Sequence, residues 1–126
     1  MYRVSNERAL GDFMDKARLK EHILNNYKIL IVDDSGTIRM MLAEYCKSLG
    51  FIHIDEAYDG REALDKIVIW RPDLVFMDMH MPVLNGLRVC HKLQQQGLSD
   101  DIIIIMLTST SKPEFKALAF GSGITD

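Results

Sequence analysis

Three short stretches of the chain are apolar without a break: Ile29-Leu30-Ile31-Val32, Leu74-Val75-Phe76-Met77, and Ile102 through Leu107. A strand with one wet face is apolar only on alternate residues. These runs leave no position for a wet face, so both faces are covered, as in a parallel sheet flanked by helices. A fourth stretch, Phe51 to Ala57, mixes Phe51, Ile52 and Ile54 with His53 and Asp55, the pattern of an edge strand. Between the runs the period becomes helical. Ile38, Met41, Leu42, Tyr45 and Leu49 recur at steps of three and four, and Gly50 follows as a stop. Ala63, Leu64, Ile67 and Val68 form a second stripe within Asp59–Trp70, closed by Arg71-Pro72. Leu87, Cys90 and Leu93 predict a helix from Gly86 that ends by Gly97. Ser111-Lys112-Pro113-Glu114 reads as the opening of a fourth helix, Pro being favoured at the first helical position. Strand and helix alternating in this way predict right-handed crossovers and a doubly wound α/β sheet, with no internal repeat.

Residues 1–27 stand outside the alternation and are expected to form a helical N-terminal extension. Leu10, Phe13, Met14, Ala17 and Leu24 fall roughly on one helical face among charged neighbours. Two readings stay open: an extra helix packed on the domain or fraying from it, and a helix that dimerises or meets a partner. A helix this short is marginal in water by itself, so it must dock to persist.

With 126 residues, 48% hydrophobic and 26% charged, the composition is that of one ordinary globular domain. A net charge of −3 argues against a general nucleic-acid surface. No apolar run reaches the length of a membrane span, and the charged N-terminus lacks the apolar centre of a signal peptide. Cytoplasm is the expected location. Cys46 and Cys90 form no metal-binding pattern and read as buried, reduced thiols.

In open α/β sheets ligands gather beyond the carboxyl ends of the strands, near the point where strand order reverses. The first run ends in Asp33-Asp34, the second in Asp78, and the last in Thr108-Ser109. One sheet edge is thus expected to present three acids and a hydroxyl. Two unit charges about 4 Å apart at an effective dielectric of about 20 repel by roughly 4 kcal/mol. Either one acid takes up a proton or a cation sits among them. Oxygen donors without His or thiolate favour a hard ion such as Mg²⁺. Asp34, just before Ser-Gly-Thr, also reads as a helix cap, which by itself would need no metal.

Together these residues resemble the receiver domain of two-component response regulators, a flavodoxin-like fold. The resemblance runs from about Lys28 to Asp126. It rests on Ile31-Val32-Asp33-Asp34-Ser35, on Met77-Asp78-Met79-His80-Met81-Pro82-Val83-Leu84-Asn85-Gly86, on Met106-Leu107-Thr108-Ser109 and on Gly123-Ile124-Thr125-Asp126. The spacings are similar too: 45 residues from Asp33 to Asp78 and 30 from Asp78 to Thr108. The resemblance implies that Asp78 accepts a phosphoryl group from a phosphohistidine on a sensor histidine kinase or phosphotransfer protein. It implies that Asp33, Asp34, Asp78 and the backbone carbonyl of Met79 hold Mg²⁺. Thr108 would bind the phosphoryl group and begin a conformational switch. His80 and Thr110 occupy positions that tune hydrolysis of the acyl phosphate, although both also read as ordinary loop residues. Pro82 and Gly86 read as shaping the turn and the helix start. Such a domain modifies itself, so no enzyme acting on a diffusible substrate is expected.

The family's Lys at the end of a fifth strand, and the aromatic switch residue, have no counterpart up to Asp126; Lys112 is read as solvated. A fifth strand and helix are therefore expected to be lacking, and the chain to be a C-terminally incomplete receiver domain over 28–126. The run Ile102–Leu107 would then expose an apolar edge open to strand exchange. A homodimer through that edge or through the N-terminal helix is the expected escape, with neither nucleic acid nor membrane as a direct partner. Two competing readings are a phosphorylation-independent interaction module with remnant acids, and a haloacid-dehalogenase-type phosphatase. The second places its acids as Asp-x-Asp on the first strand, whereas here they are adjacent.

Overall fold

A computed structural model of the chain describes residues 7–81, 84–109 and 115–120. Helix α1 (Glu7–Asn26) precedes strand β1 (Lys28–Val32), followed by α2 (Gly36–Ser48), β2 (His53–Ala57), α3 (Gly60–Trp70), β3 (Leu74–Asp78) and α4 (Gly86–Gln95). A single 3₁₀ turn at Ser99–Asp101 leads into β4 (Ile103–Ser109), and β5 (Phe115–Phe120) follows.

The sheet order is β2-β1-β3-β4-β5, with the first four strands parallel. The chain steps outward from β1 to β2, then crosses back to place β3 on the other side of β1. The order therefore reverses between β1 and β3, and Val32 pairs with Met77 there.

The unbroken apolar runs follow from this layering. Along β1, Leu30 and Val32 face one side and pack with Val75, Met77, Ile104 and Met106 against α3 and α4. Ile29 and Ile31 face the other side, against Ala43 and Cys46 of α2. Alternate residues enter different cores, so neither face is left for polar side chains. Both cysteines are buried and free, and burial pushes the Cys90 thiol up to about 11.

The helix boundaries have local causes. Gly50, at φ 104°, takes the left-handed conformation just beyond α2 and donates its N–H to the Lys47 carbonyl. Arg71 adopts φ 53° at the end of α3, immediately before Pro72. Asp59 caps α3 by accepting the Glu62 N–H at 2.8 Å.

The structure differs from expectation at the far edge. The expected helix opening, Ser111 to Glu114, lies outside the described residues. Phe115–Phe120, which would have continued that helix, instead runs antiparallel to β4, with Met106 opposite Leu118. The far side of β4 offers a row of unpaired backbone donors and acceptors, and a short connection suffices for an antiparallel partner. The edge expected to be exposed is thereby paired within the chain.

Among the described residues no helix is long and apolar enough to cross a membrane. The helix α1 reaches the sheet domain near its C-terminal end, where Leu24 lies against Gly50 beside Leu49 and Phe51.

A Cβ on Gly60 would run into the Leu84 backbone and lie 2.9 Å from Val89 Cγ2. Gly60→Ala is expected to lose about 1–3 kcal/mol in urea unfolding through overpacking. Gly11→Ala, where a Cβ meets nothing within 4 Å, is expected to leave the fold unharmed.

Candidate functional site

Asp33 follows β1 directly, and its N–H donates to the Ala57 carbonyl at 3.1 Å, extending the ladder with β2 by one rung. Its Oδ1 accepts the Ser35 N–H at 2.8 Å. Ser35, not Asp34, caps α2, its hydroxyl accepting the Ile38 N–H at 3.3 Å. Both residue types suit the role, and the backbone angle at Ser35 decides between them. The Asp34 side chain is exposed at the mouth of the site and is not consumed as the cap.

Asp78 is the last residue of β3 and accepts the His80 N–H at 3.0 Å on Oδ1. Met79 donates its N–H to the Leu107 carbonyl and accepts from Gly86 N–H at 3.2 Å. A carbonyl has two lone pairs, so one bond does not exhaust it as a ligand. A Cβ on Gly86 would lie 2.7 Å from both the Asp78 carbonyl and Met106 Sδ. Glycine is therefore what lets the start of α4 rest on the backbone of the acidic strand end.

These devices bring one carboxylate oxygen each from Asp33, Asp34 and Asp78 within 4.8 Å of one another. Asp33 is 7% and Asp78 6% exposed, the two buried polar residues of the sheet domain's described part. Burial, with the Asp78 and Asp34 charges adding to it, raises Asp33 from the ordinary 3.8 to about 6. The Ser35 amide works against that rise. Burial also raises Asp78, and the His80 amide holds it back. A cluster of hard oxygen donors that ionise reluctantly is chemically suited to a small divalent cation, which would replace the missing positive charge.

The other expected residues fall as follows. Leu107 stands opposite Asp78 in the β3–β4 register, so the Thr108 backbone lies one position beyond it at the same sheet edge. His80 is exposed; its backbone amide holds the Asp78 carboxylate, and its charge works in the same direction, against the rise of Asp78. Thr110 and Pro82 lie outside the described residues, as does Gly123 to Asp126.

Sequence reasoning missed Arg39. From the first turns of α2 its Nη1 donates to the Asp33 carbonyl at 2.7 Å, and its Nε to Glu56 Oε1 at 3.1 Å. It ties the acidic turn to the neighbouring strand. Its one available signal was position: four residues after Ser35, an arginine stands over the helix start.

An open α/β sheet with an acidic pocket at its topological switch point defines a flavodoxin-like domain whose chemistry sits at the strand ends. The description "response regulator receiver domain" matches residues 29–126, and the chain belongs to that family. Response regulator MprA of Mycolicibacterium vanbaalenii is 38% identical over 99 residues, covering 79% of this chain and 42% of that protein. The Mycobacterium tuberculosis protein of the same name is 36% identical over the same shares. The chain thus spans less than half the length of these curated relatives. Among solved structures, chemotaxis response regulator CheY4 of Vibrio cholerae is 36% identical with TM-score 0.62, over 69% of this chain and 72% of that one. The response regulator domain of Thermotoga maritima CheB is 31% identical with TM-score 0.59, over 69% and 63%. The chain is thereby a receiver domain of the two-component type.

The raised Asp33 value has a definite linkage sign. The folded chain holds this proton up to about 6 and the unfolded chain only to 3.8, so the stability it contributes is present below 3.8 and lost as pH rises through 6. Asp33→Asn, which carries no such charge, is expected to gain in melting temperature relative to wild type between about pH 4 and pH 7 without metal. Millimolar Mg²⁺ is expected to raise the wild-type melting temperature more at pH 7.5 than at pH 5. Calorimetric scans check both; a Mg²⁺ shift independent of pH would contradict this electrostatic account.

Proposed function

We propose that Asp78 is the phosphoacceptor, taking a phosphoryl group from a phosphohistidine on a sensor histidine kinase or phosphotransfer protein. The observation that carries the reading is the convergence of three carboxylates at the switch point, two of them buried. In the transfer an Asp78 oxygen forms a bond to phosphorus as the phosphorus–nitrogen bond breaks. The imidazole leaves with the bond pair and takes up a proton, and an acyl phosphate remains. Membership of the receiver family supports this reading.

The chain's own residues divide the work. The His80 amide orients the Asp78 carboxylate by holding one oxygen. Asp33 and Asp34, with Asp78 and the Met79 carbonyl, would hold Mg²⁺. When bound, that ion offsets negative charge on the phosphoryl oxygens and lowers the repulsion between donor and acceptor. Thr108, whose backbone continues β4 at the neighbouring strand end, would bind the phosphoryl group and carry the switch. His80 and Thr110 tune the lifetime of the acyl phosphate. The added charge and acceptor oxygens then bias a two-state surface read by an output. The domain turns over nothing but its own phosphoryl group, acts in the cytoplasm, and occupies residues 28–126, with 1–27 as an extension.

Incubation with acetyl phosphate and Mg²⁺ is expected to add one phosphoryl group to the intact mass, and EDTA to prevent it. Asp78→Asn is expected to abolish the gain, and Asp33→Asn to weaken Mg²⁺ binding about tenfold or more. Thr108→Ala is expected to keep the phosphoryl group while losing the accompanying conformational change, read by amide NMR shifts. Undiminished labelling of Asp78→Asn would overturn the assignment.

A further inference from the structure

Resting on the reading of the strand ends as an ion site, we propose that Arg39 is a positioning residue for the divalent cation. It holds the peptide between Asp33 and Asp34, and through that peptide it sets the direction of the Asp34 carboxylate. One Asp34 oxygen lies within 4.8 Å of oxygens on Asp33 and Asp78, yet its side chain is exposed and no N–H or hydroxyl among the described residues donates to it. Asp33 and Asp78, by contrast, each accept a backbone amide, at 2.8 and 3.0 Å. Asp34 is therefore aimed through its backbone, by the two planar peptide groups that flank it. The peptide after it is held by the Ser35 N–H on Asp33 Oδ1. The peptide before it is held by Arg39, whose Nη1 donates to the Asp33 carbonyl at 2.7 Å.

Place and chemistry both suit Arg39 to this task. Its own N–H donates to the Ser35 carbonyl at 3.0 Å, one turn into α2, and helical side chains lean back toward the N-terminus. A guanidinium carries its donors in a fixed planar fork and can hold two acceptors in different directions at once. Here Nη1 takes the Asp33 carbonyl and Nε takes Glu56 Oε1 at 3.1 Å. Glu56 belongs to β2, whose Ala57 carbonyl already accepts the Asp33 N–H. Residue 33 is thus tied to β2 at both of its backbone polar groups, directly through the N–H and by way of Arg39 through the carbonyl. Glu56 also offsets the guanidinium charge, and among the described residues no ion pair joins Arg39 to Asp33, Asp34 or Asp78. The brace steers the acids without neutralising them.

Charge and geometry predict opposite effects for removing Arg39. Deleting a cation near three acids, and leaving Glu56 unpaired, makes the pocket more negative and by charge alone tightens the binding of a divalent ion. Releasing the Asp33–Asp34 peptide lets the Asp34 carboxylate swing away, and losing a group that orients a metal ligand weakens binding about tenfold or more. Titration of the whole chain with Mn²⁺, the free ion counted by electron paramagnetic resonance, tests this. Arg39→Gln is expected to raise Kd about tenfold while the metal-free protein keeps a cooperative melting transition. Arg39→Lys keeps the charge but brings one nitrogen to two acceptors; it is expected to raise Kd as well, and it decides the matter if Arg39→Gln does not fold. In an Asp34→Asn background, Arg39→Gln is expected to cause no further weakening, because the carboxylate it aims is gone. An unchanged or lowered Kd in either single variant would overturn the proposal. Equal weakening with and without the Asp34 carboxylate would overturn the route through Asp34. A wild type that takes up no Mn²⁺ would overturn the ion-site reading, and the proposal with it.

Discussion

The side-by-side pairing of β1 and β3 is the constraint from which the rest follows. With Val32 opposite Met77, the next residues on the two strands, Asp33 and Asp78, emerge together at one edge. No turn or loop has to bring them there; parallel register does it, because both strands end at the same level. The ladder is anchored by residues buried on both faces, including Leu30, Ile31, Val75 and Met77. A slip of the register by one residue would exchange every side chain between the two cores, so the apolar pattern that builds the sheet also fixes the position of the acids.

Placing carboxylates there is costly. Asp33 and Asp78 are both nearly covered, and burial is the larger reason that each resists ionisation, with neighbouring negative charge second. The backbone returns part of that cost through the amides of Ser35 and His80, each of which holds one carboxylate oxygen. Arg39 fastens the turn from behind through the Asp33 carbonyl, and Gly86 lets α4 approach the end of β3. These contacts fix the carboxylates in place without neutralising them. What remains is an oxygen-lined pocket of concentrated negative charge, chemically suited to a small divalent cation.

Much of this was legible from residue order. Runs such as Ile29–Val32 are apolar on both parities, which only a double-faced strand requires, and the acids stand immediately after them. The helix start at Gly86, and the helical stripes of Ile38–Leu49 and of Asp59–Trp70, were visible in period and breakers. The strand Phe115–Phe120 was not, because Phe-Lys-Ala-Leu-Ala-Phe has no alternation of polar and apolar residues and contains good helix formers. Its state is decided by the open side of β4, a tertiary influence that local propensity does not contain. The choice between Asp34 and Ser35 as cap was equally invisible, since both side chains suit it. Arg39 escaped because a single arginine on a helix carries no periodic signal; its contacts to Asp33 and Glu56 exist only once β1 and β2 lie together.

The central claim is that one divalent ion binds where Asp33, Asp34 and Asp78 meet. Substoichiometric Mn²⁺ added to isotopically labelled protein tests it most directly, because paramagnetic broadening of amide signals falls off steeply with distance from the ion. The account predicts that Asp34, Ser35, Met79 and His80 broaden first and that excess Mg²⁺ restores them. Broadening that begins instead around Asp100 and Asp101, or around Asp55 and Glu56, with the strand ends untouched, would contradict it.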